Sequence, residues 1–295
     1  MTGRSQGLPL DSLWEAPEPP TIPVDRRGGL LPPPLADRHP GSIVVDLVAD
    51  RPTIVANFVS SLDGVVALSS GSTGAGGADI SGNSDADRFM MALLRGLADV
   101  IVVGAGTARV GHRHVWTAAY LQPELAGVFA AWRAEMWLTP QPTTIVVTAS
   151  GNLDATHSGL NRPDVPVIVA TTPSGADRLS HLPLGPNVRV EAVGTNDRVP
   201  AGAILDVIRG TGARLAVCEG GPHVFGELLR ARLVDELFLT VAPQLAGRDA
   251  TTSRLSLVEG TSFGEGRGRW GELIGVRRAG DDLFLRYRFQ PYSGL

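Results

Sequence analysis

The sequence predicts an α/β fold in three layers, with a mixed and mostly parallel sheet covered by helices on both faces. From Arg51 onward, short runs of β-branched and apolar residues alternate with stretches whose apolar residues recur at helical spacing. Such alternation is typical of parallel strands joined by helices. Two strand-like segments then flank the turn Ala279-Gly280-Asp281, which predicts a closing antiparallel hairpin. With 295 residues, 43% of them hydrophobic, the chain can bury a large core.

The first elements after residue 50 are marked by composition and by capping signals. Residues 53–59 form a β-rich run, and residues 64–68 follow it after a Ser-Leu-Asp-Gly turn, so both are expected to be strands. Residues 85–97 carry apolar side chains at helical spacing and follow Ser84, a residue type that caps helix N-termini. Residues 100–103 are apolar and β-branched, which predicts a buried strand.

The same two patterns continue along the rest of the chain. They predict strands at residues 143–148, 165–170, 188–193, 215–218, 237–241, 271–278 and 282–289, and helices at residues 123–138, 201–209 and 222–232. No composition change follows residue 50, so residues 51–295 are predicted to be one globular domain.

Residues 1–50 differ from this domain in composition. Nine prolines fall between Pro9 and Pro40, and proline removes a backbone donor that strand ladders need. We therefore expect an irregular proline-rich arm that lies on the globular body or on a partner subunit. A proline-rich ligand for another protein is the alternative.

The charged residues exclude several function classes. All 26 basic residues are arginine, so a Walker A phosphate loop and a Schiff-base lysine are impossible. The formal net charge of −4 gives no general attraction to nucleic acid or to an anionic membrane. We expect a small-molecule substrate, with neither nucleic acid nor membrane as a partner.

Cysteine and histidine usage argues against a metal site. Cys218 is the only cysteine, which excludes an intrachain disulfide and a multi-cysteine metal centre. The six histidines form no ligand pattern, and the pair His112 and His114 is interpreted as a surface feature. We see no secretory signal and no apolar run near the roughly 20 residues that span a bilayer, so a cytoplasmic protein is expected.

Two glycine-containing loops each follow a predicted buried strand. The first holds Gly104 and Gly106, and the second holds Gly220 and Gly221 just before a predicted helix that begins at Pro222. Glycine lets backbone N–H groups approach an anion, and a helix N-terminus adds partial positive charge. Each loop could also be only a tight turn.

The usual dinucleotide fingerprint is not met by these loops. The pair Gly104 and Gly106 lacks the third glycine, and no strand with an acidic end follows about 20 residues later. If a nicotinamide cofactor binds, it must therefore do so on a fold other than the usual doubly wound one.

Three charged residues occupy positions where chemistry is plausible. Asp63 lies in the first hairpin, although Asp-Gly is also a common turn. Arg95 lies near the end of a predicted helix, where it could stabilise the helix dipole or contact an anionic ligand. Glu219 follows a predicted buried strand, at the edge where open α/β sheets bind ligands.

Taken together, these motifs resemble one family. They occur in the order Ser61-Leu62-Asp63-Gly64, Ile80-Ser81-Gly82, Arg95 with Ala98-Asp99, Val103-Gly104-Ala105-Gly106-Thr107, Glu219-Gly220-Gly221-Pro222, Leu233-Val234-Asp235-Glu236-Leu237 and Ala242-Pro243-Gln244-Leu245-Ala246-Gly247. The series resembles the reductase domain of the bifunctional riboflavin-biosynthesis deaminase/reductase, a family with the dihydrofolate reductase fold, over about residues 50–290. The zinc-deaminase motifs His-x-Glu and Pro-Cys-x-x-Cys do not occur in the chain.

The resemblance implies an NADPH-dependent reductase of 5-amino-6-(5-phosphoribosylamino)uracil, with hydride transfer to the ribose C1. It places on the cofactor Gly104, Gly106, Thr107, Ser150, Gly220, Gly221, Pro222, His223, Val224 and Phe225. It places Arg95 and Glu219 on the substrate, and Glu219 and Asp63 are the two candidates for the acid. It also implies a homodimer, which the apolar blocks 233–241 and 283–289 would favour if they met at a subunit boundary.

One motif departs from the family pattern. Many members follow the threonine with Asp-Asp-Pro-x-Leu-x-x-Arg, whose arginine holds the substrate phosphate. Here Gly111 replaces the first acidic residue, and no arginine matches the spacing, although Arg109 or Arg113 could substitute. Two alternatives therefore stay open: a reductase of this fold acting on another pterin or heterocycle such as dihydrofolate, and a non-catalytic binding protein that keeps the fold.

Overall fold

The computed structural model describes residues 7–17, 25–68, 76–195, 197–249 and 251–289. Its strands, in chain order, are β1 Asp11–Glu15, β2 Arg26–Leu30, β3 Ser42–Asp46, β4 Thr53–Ser60, β5 Val65–Ala67, β6 Val100–Gly104, β7 Thr143–Thr148, β8 Val167–Thr171, β9 Val188–Ala192, β10 Leu215–Cys218, β11 Glu236–Val241, β12 Leu255–Ser256, β13 Glu272–Ala279 and β14 Asp282–Arg288. Its helices are α1 Pro33–Ala36, α2 Gly77–Ser81, α3 Asp85–Leu97, α4 Ala105–Val110, α5 Ala118–Leu121, α6 Ala126–Glu135, α7 Pro173–Ser180, α8 Ala201–Gly210 and α9 Pro222–Arg230, with 3₁₀ turns at Pro123–Leu125 and Ser158–Leu160.

Ten strands form one sheet in the order β1-β13-β14-β11-β4-β10-β6-β7-β8-β9. Among the seven strands from β11 to β9, every neighbouring pair is parallel. The hairpin β13–β14 and the edge strand β1 are antiparallel. The predicted fold class, with a mostly parallel sheet and an antiparallel C-terminal hairpin, is confirmed.

The central strands are apolar throughout because both of their faces are covered. In β4, Ile54 packs in the core beneath α8 and α9, whereas its neighbour Val55 packs in the core beneath α3 and α6. Successive side chains of a strand point to opposite faces, so an unbroken apolar run fills two cores at once. This arrangement gives the three layers that the alternation of elements predicts.

Helix α3 shows how closely local sequence sets an element. Ser84 Oγ accepts a hydrogen bond from the backbone N–H of Asp87 at 3.3 Å, which caps the first turn. The helix runs from Asp85 to Leu97, the predicted bounds. Its apolar face, including Phe89 and Leu93, is fully buried.

The N-terminal segment is more regular than its prolines suggest. Strand β1 extends the main sheet beside β13, and β2 pairs with β3. The expectation that residues 1–50 form no strand ladder is therefore wrong for the described residues. The prolines lie between these strands and not within them, so they remove no ladder donor. The pair Pro19-Pro20 lies outside the described residues.

The strands that were expected to favour a dimer lie inside the sheet. Strand β11 lies between β14 and β4, and β14 lies between β13 and β11. Their apolar character is accounted for by neighbours in the same chain. Among the described residues, no helix combines the length and the apolar character that crossing a bilayer requires.

Candidate active site

A cleft of about 1060 Å³ opens at the carboxyl ends of the parallel strands. The strands β4, β10, β6 and β7 are consecutive in the sheet, so the loops that follow them meet at one edge. Small-molecule sites typically measure about 300–1,000 Å³. The cleft is thus large enough for a dinucleotide and a small heterocycle together.

The two glycine loops lie side by side in this cleft. Strands β6 and β10 are parallel neighbours, and the Gly104 N–H donates a hydrogen bond to the Gly220 carbonyl. A Cβ on Gly104 would lie 3.0 Å from the Gly221 nitrogen. A Cβ on Gly221 would lie 3.3 Å from Thr107 Oγ1. Absence of side chains at these glycines therefore lets the two loops and Thr107 converge.

Helix α9 begins directly at this junction. Gly221 is its N-cap, Pro222 occupies the first turn, and His223 and Val224 line the cleft. Orphan N–H groups and partial positive charge at a helix N-terminus suit an anion such as a pyrophosphate. The two glycine loops, which hold Gly104, Gly106, Gly220 and Gly221, are called the cradle below. The cradle and the start of α9 together suit the phosphates of a dinucleotide.

The other residues predicted to bind the cofactor fall into two groups. Gly106 and Ser150 line the same cleft, with Ser150 just beyond the end of β7. Phe225 is 1% exposed and packs on Phe58 with their ring centroids 4.9 Å apart, so it supports the loop from the core. Gly220 has a φ of 102°, a left-handed conformation that favours glycine, and it lies behind the lining residue Gly221.

Arg95 and Glu219 form a buried bidentate pair at the wall of the cleft. Arg95 Nε donates to Glu219 Oε1 at 2.8 Å, and Arg95 Nη2 donates to Glu219 Oε2 at 2.7 Å. The side chains are 0% and 6% exposed. Two parallel charge-assisted bonds fix the orientation of the carboxylate.

All five N–H donors of Arg95 are used within the protein. Nη1 donates to the carbonyls of Val115 and Thr117, and Nη2 also contacts His114 Nε2 at 2.7 Å. The sequence predicts a substrate contact for Arg95, yet this geometry leaves it no donor to offer. We propose instead that Arg95 positions Glu219.

His114 is a component of this wall that sequence reasoning missed. Its interpretation as a surface residue is wrong, because its ring lies against Arg95, Trp116 and Tyr120 and lines the cleft. Burial, and then the charge of Arg95, hold the pKa of His114 well below its usual value. Since arginine only donates, Nε2 must accept, and the single proton of the neutral ring lies on Nδ1.

Asp63 lies elsewhere. Its carboxylate accepts hydrogen bonds from Ser61 Oγ at 2.6 Å and from the backbone N–H groups of Ala246 and Gly247 at 3.0 and 2.6 Å. These bonds hold the pKa of Asp63 well below its usual value. Asp63 is not among the residues that line the cleft. Its contacts anchor the loop at residues 244–247.

Two further polar residues line the cleft without a sequence signal that singles them out. Asn57 on β4 is 5% exposed, and Asp87 on α3 is equally buried. Asp87 lies one and two helical turns before Met91 and Arg95, which also line the cleft. The i, i+4, i+8 spacing could have grouped Asp87 with Arg95, but an acidic residue in a first helical turn already has an ordinary explanation.

Comparison with known proteins identifies the family to which the chain belongs. The family model of the RibD C-terminal domain matches residues 52–265, which is most of the chain. The chain belongs to the RibD C-terminal domain family. The glycine loops, Thr107 and the Arg95–Glu219 pair all fall within the matched segment.

A curated relative in this family comes from Methanothermobacter thermautotrophicus. It is named 2,5-diamino-6-ribosylamino-4(3H)-pyrimidinone 5′-phosphate reductase and is 28% identical over 216 residues, covering 73% of this chain and 87% of the relative. Family membership and this relative show that the chain is a pyrimidine reductase of the riboflavin-biosynthesis type.

Solved structures share the fold. The deaminase/reductase of Thermotoga maritima superimposes with a TM-score of 0.60 and 18% identity over 81% of this chain, and RibD of Acinetobacter baumannii with 0.60 and 19% over 82%. The chain spans only 57% and 59% of those two proteins. A pyrimidine reductase-like protein of Corynebacterium diphtheriae matches with a TM-score of 0.57 and 21% identity, over 82% of this chain and 93% of its own length.

Among the residues that the structure describes, no three or more His, Cys, Asp or Glu side chains are arranged to hold a metal ion.

Proposed function

We propose that the protein is an NADPH-dependent pyrimidine reductase that transfers hydride to the ribose C1 of 5-amino-6-(5-phosphoribosylamino)uracil. The observation that carries the proposal is the placement of two converging glycine loops and the buried Arg95–Glu219 pair in one cleft. The glycine loops would bind the phosphates of a dinucleotide. The oriented carboxylate at the neighbouring strand end would stabilise a cationic reaction centre.

The cofactor would be held by the residues that form the cradle. Gly104, Gly106, Thr107 and the start of α9 from Gly221 to Val224 would hold its phosphates, and Ser150 would approach its adenosine. When bound, a reduced nicotinamide supplies the hydride. The protein contributes orientation, electrostatic stabilisation and exclusion of water.

NADPH rather than NADH is favoured by arginines at the Ser150 end of the cleft. Arg109 and Arg198 both line it, and the Arg109 guanidinium reaches only a weak contact of 3.4 Å with the Asn152 carbonyl. Arginine is well suited to bind a phosphate through several donors. These side chains would bind the 2′-phosphate that distinguishes the two dinucleotides.

Glu219 would act on the substrate. Held by Arg95, its carboxylate keeps a fixed orientation at the carboxyl end of β10. During the reaction C1 of the ribose becomes cationic as the sugar ring opens, and a fixed negative charge nearby stabilises that state.

One observation favours a second candidate function, the reduction of an unphosphorylated heterocycle such as dihydrofolate. The segment after Thr107 brings the neutral His114 and Trp116 into the cleft, where the family motif would supply an arginine. Of the two substitutes that the sequence suggests, Arg109 lines the cleft and Arg113 does not. Since Arg109 is assigned above to the cofactor, a substrate phosphate would then depend on Arg88, which also lines the cleft.

A homodimer is also proposed. Edge strand β1 pairs with β13 on one side and ends the sheet on the other. Leu13 and Trp14 on this strand are 53% and 44% exposed, so the edge offers both backbone groups and apolar area to a second copy. Light scattering should give twice the mass of one chain at micromolar concentration, and the mass of a single chain would refute the dimer.

The reaction is tested by following NADPH oxidation with three substrates in parallel. We expect oxidation with 5-amino-6-(5-phosphoribosylamino)uracil, slower oxidation with its dephosphorylated form and none with dihydrofolate. Oxidation with dihydrofolate alone would favour the second candidate. No oxidation with any of them, together with no binding of NADPH by calorimetry, would overturn the assignment as a reductase.

A further inference from the structure

Four carboxyl side chains line the cleft, and three of them are held by strong partners. Glu219 is paired with Arg95. Glu227 accepts hydrogen bonds from Arg230 Nη2 at 2.6 Å and from the Ala201 N–H at 3.2 Å. Both carboxyls thus accept hydrogen bonds from an arginine of the same chain.

Glu259 is held in the same way. Its Oε1 accepts hydrogen bonds from the hydroxyl and the backbone N–H of Ser256 at 2.6 and 2.7 Å. These bonds keep the pKa of Glu259 below its usual value. Each of the three glutamates Glu219, Glu227 and Glu259 is thus held by charged or polar donors of the protein.

Asp87 has a different environment. It is 5% exposed, and among the described residues no arginine or histidine forms an ion pair with it. Burial is the main cause that raises its pKa to about 6, and the negative charges of Asp282 and Glu219 add to this. Hydrogen bonds with the hydroxyls of Thr240 and Ser81 oppose the shift without cancelling it.

The charged and titratable groups around Asp87 come from each element that packs against it. Asp282 on β14 and Glu219 after β10 both disfavour its ionisation, while Thr240 on β11 and Ser81 on α2 donate neutral hydrogen bonds. Arg95 lies two turns further along α3, but its charge is already bound to Glu219. The surroundings thus suit a carboxyl that exchanges its proton near neutral pH.

We propose that Asp87 is the catalytic acid, which donates the proton that the reduction consumes. This inference rests on the proposed function. Asp87 and Arg95 lie on one face of α3, about 12 Å apart along its axis, with Met91 between them. The negative charge of Glu219 acts on Asp87, so the two carboxyls share one part of the cleft. A ribose bound between them would have C1 toward Glu219 and O4 toward Asp87.

The proton from Asp87 is needed when the ribose ring opens. Opening the sugar breaks the C1–O4 bond, and the bonding electron pair remains on O4, which takes a proton from the Asp87 carboxyl. The lone pair of the exocyclic nitrogen forms a double bond to C1, which gives an iminium cation. Hydride from the dihydronicotinamide named above then forms the second C1–H bond, and its donor is oxidised. Solvent returns one proton to Asp87, so each turnover consumes one hydride and one proton.

The test uses Asp87→Asn with Asp87→Glu and Asp85→Asn as companions. Asparagine keeps the size of the side chain but donates no acidic proton, so kcat/KM should fall at least about 100-fold while NADPH affinity stays within about twofold. Asp87→Glu, which retains an acid, should recover part of the loss. Asp85 lies on the same helix but pairs with Arg38 and Gln122 outside the cleft, so Asp85→Asn should keep wild-type turnover.

Two pH measurements separate an acid from a structural carboxyl. In the wild type, kcat/KM should fall as pH rises above about 6, and this dependence should be absent in Asp87→Asn. Infrared spectroscopy of the cofactor-free protein should show the carbonyl stretch of a protonated carboxylic acid that disappears near the same pH, and Asp87→Asn should lack it.

Each outcome decides between the claims. Wild-type reduction together with full activity of Asp87→Asn, or a wild-type protein without the infrared titration, would overturn the role of Asp87 and leave the reductase assignment standing. A wild-type protein that reduces no substrate would overturn both.

Discussion

Arg95 and Glu219, which are 124 residues apart in the sequence, are joined by two parallel hydrogen bonds of 2.8 and 2.7 Å inside the protein. The pair links helix α3 to the end of strand β10, and it forms part of the cleft wall directly beside the second glycine loop. Because both groups are almost fully buried, removing either one would leave the other without a counter-charge.

Glu219→Gln should reduce both stability and turnover. The substitution leaves the buried Arg95 charge without a counter-charge, so the free energy of unfolding should fall by about 3 kcal/mol. If the carboxylate also stabilises the cationic C1, kcat should fall about 100-fold while NADPH affinity changes little. Denaturant unfolding and steady-state kinetics measure the two effects separately.

Glu236→Gln is the matched control for Glu219→Gln. Glu236 is 2% exposed and is paired with Arg286 through bonds of 2.7 and 2.6 Å, but it does not line the cleft. It should lose comparable stability and keep wild-type kcat per folded molecule. Equal losses of kcat in both variants would show that Glu219 acts only through the fold.

Gly221→Val should abolish dinucleotide binding in a folded protein. Gly221 has a φ of −76°, which any residue can adopt, so the backbone tolerates a side chain. A Cβ there would lie 3.3 Å from Thr107 Oγ1, and the branched valine would fill the space assigned to a phosphate. Calorimetry with NADPH measures the loss. Gly202→Ala, on α8 with no atom within 4 Å of the new Cβ, should bind as the wild type does; wild-type affinity of Gly221→Val would contradict the assigned phosphate site.

Arg198→Ala should weaken NADPH binding about tenfold and leave NADH binding unchanged. Removing one guanidinium from a phosphate contact costs roughly 1.4 kcal/mol, which corresponds to this factor. Arg178→Ala, on helix α7 outside the cleft lining, is the control. Parallel weakening of both dinucleotides would place Arg198 away from the 2′-phosphate.

Asp87→Asn should change the dependence of stability on pH. The pKa of Asp87 is raised to about 6 in the folded protein, so the folded state binds its proton more tightly than the unfolded chain does. The stability from this group is complete below about pH 4 and is lost as pH rises through about 6, a difference of about 3 kcal/mol. Above pH 7 the variant should be more stable than the wild type. If the unfolding free energies of the wild type and the variant changed with pH in the same way from pH 4 to 8, the burial of an ionising carboxyl at Asp87 would be contradicted.

Asp63→Asn should lower stability without affecting turnover. The pKa of Asp63 is depressed by Ser61 and by two backbone N–H groups, so its contribution to stability is present above about pH 4 and is lost as pH falls. The variant should melt at a lower temperature at pH 7, and its stability should depend less on pH in acid. Loss of kcat per folded molecule would return Asp63 to the candidates for the acid.

Much of the fold could be predicted because local signals and global packing agree. Ser84 and the apolar spacing after it predict the bounds of α3, and the β-branched run before Gly104 predicts β6. The proline content of residues 1–50 does not predict β1 and β3, because neither strand contains a proline. Pairing with β13, which is far away in the sequence, decides the conformation of β1.

The site residues could be predicted only where the residue type and its place after a strand indicate a function by themselves. Paired glycines after buried strands indicate the cradle, and Glu219 follows from its position at a strand end. His114 acquires its role from Arg95, 19 residues away on another element, and no local pattern records that contact. Asp87 was hidden because an acidic residue in a first helical turn is ordinary, and only tertiary burial against Asp282 distinguishes it.

Transfer of deuterium from reduced NADPH labelled at C4 of the nicotinamide tests the central claim most directly. With 5-amino-6-(5-phosphoribosylamino)uracil as substrate, mass spectrometry should find one deuterium at C1 of the ribitylamino product when one of the two C4 positions is labelled, and none when the other is. A reduced product that carries no deuterium from either label, or an unchanged substrate in the presence of folded protein with bound NADPH, would contradict direct hydride transfer in this cleft.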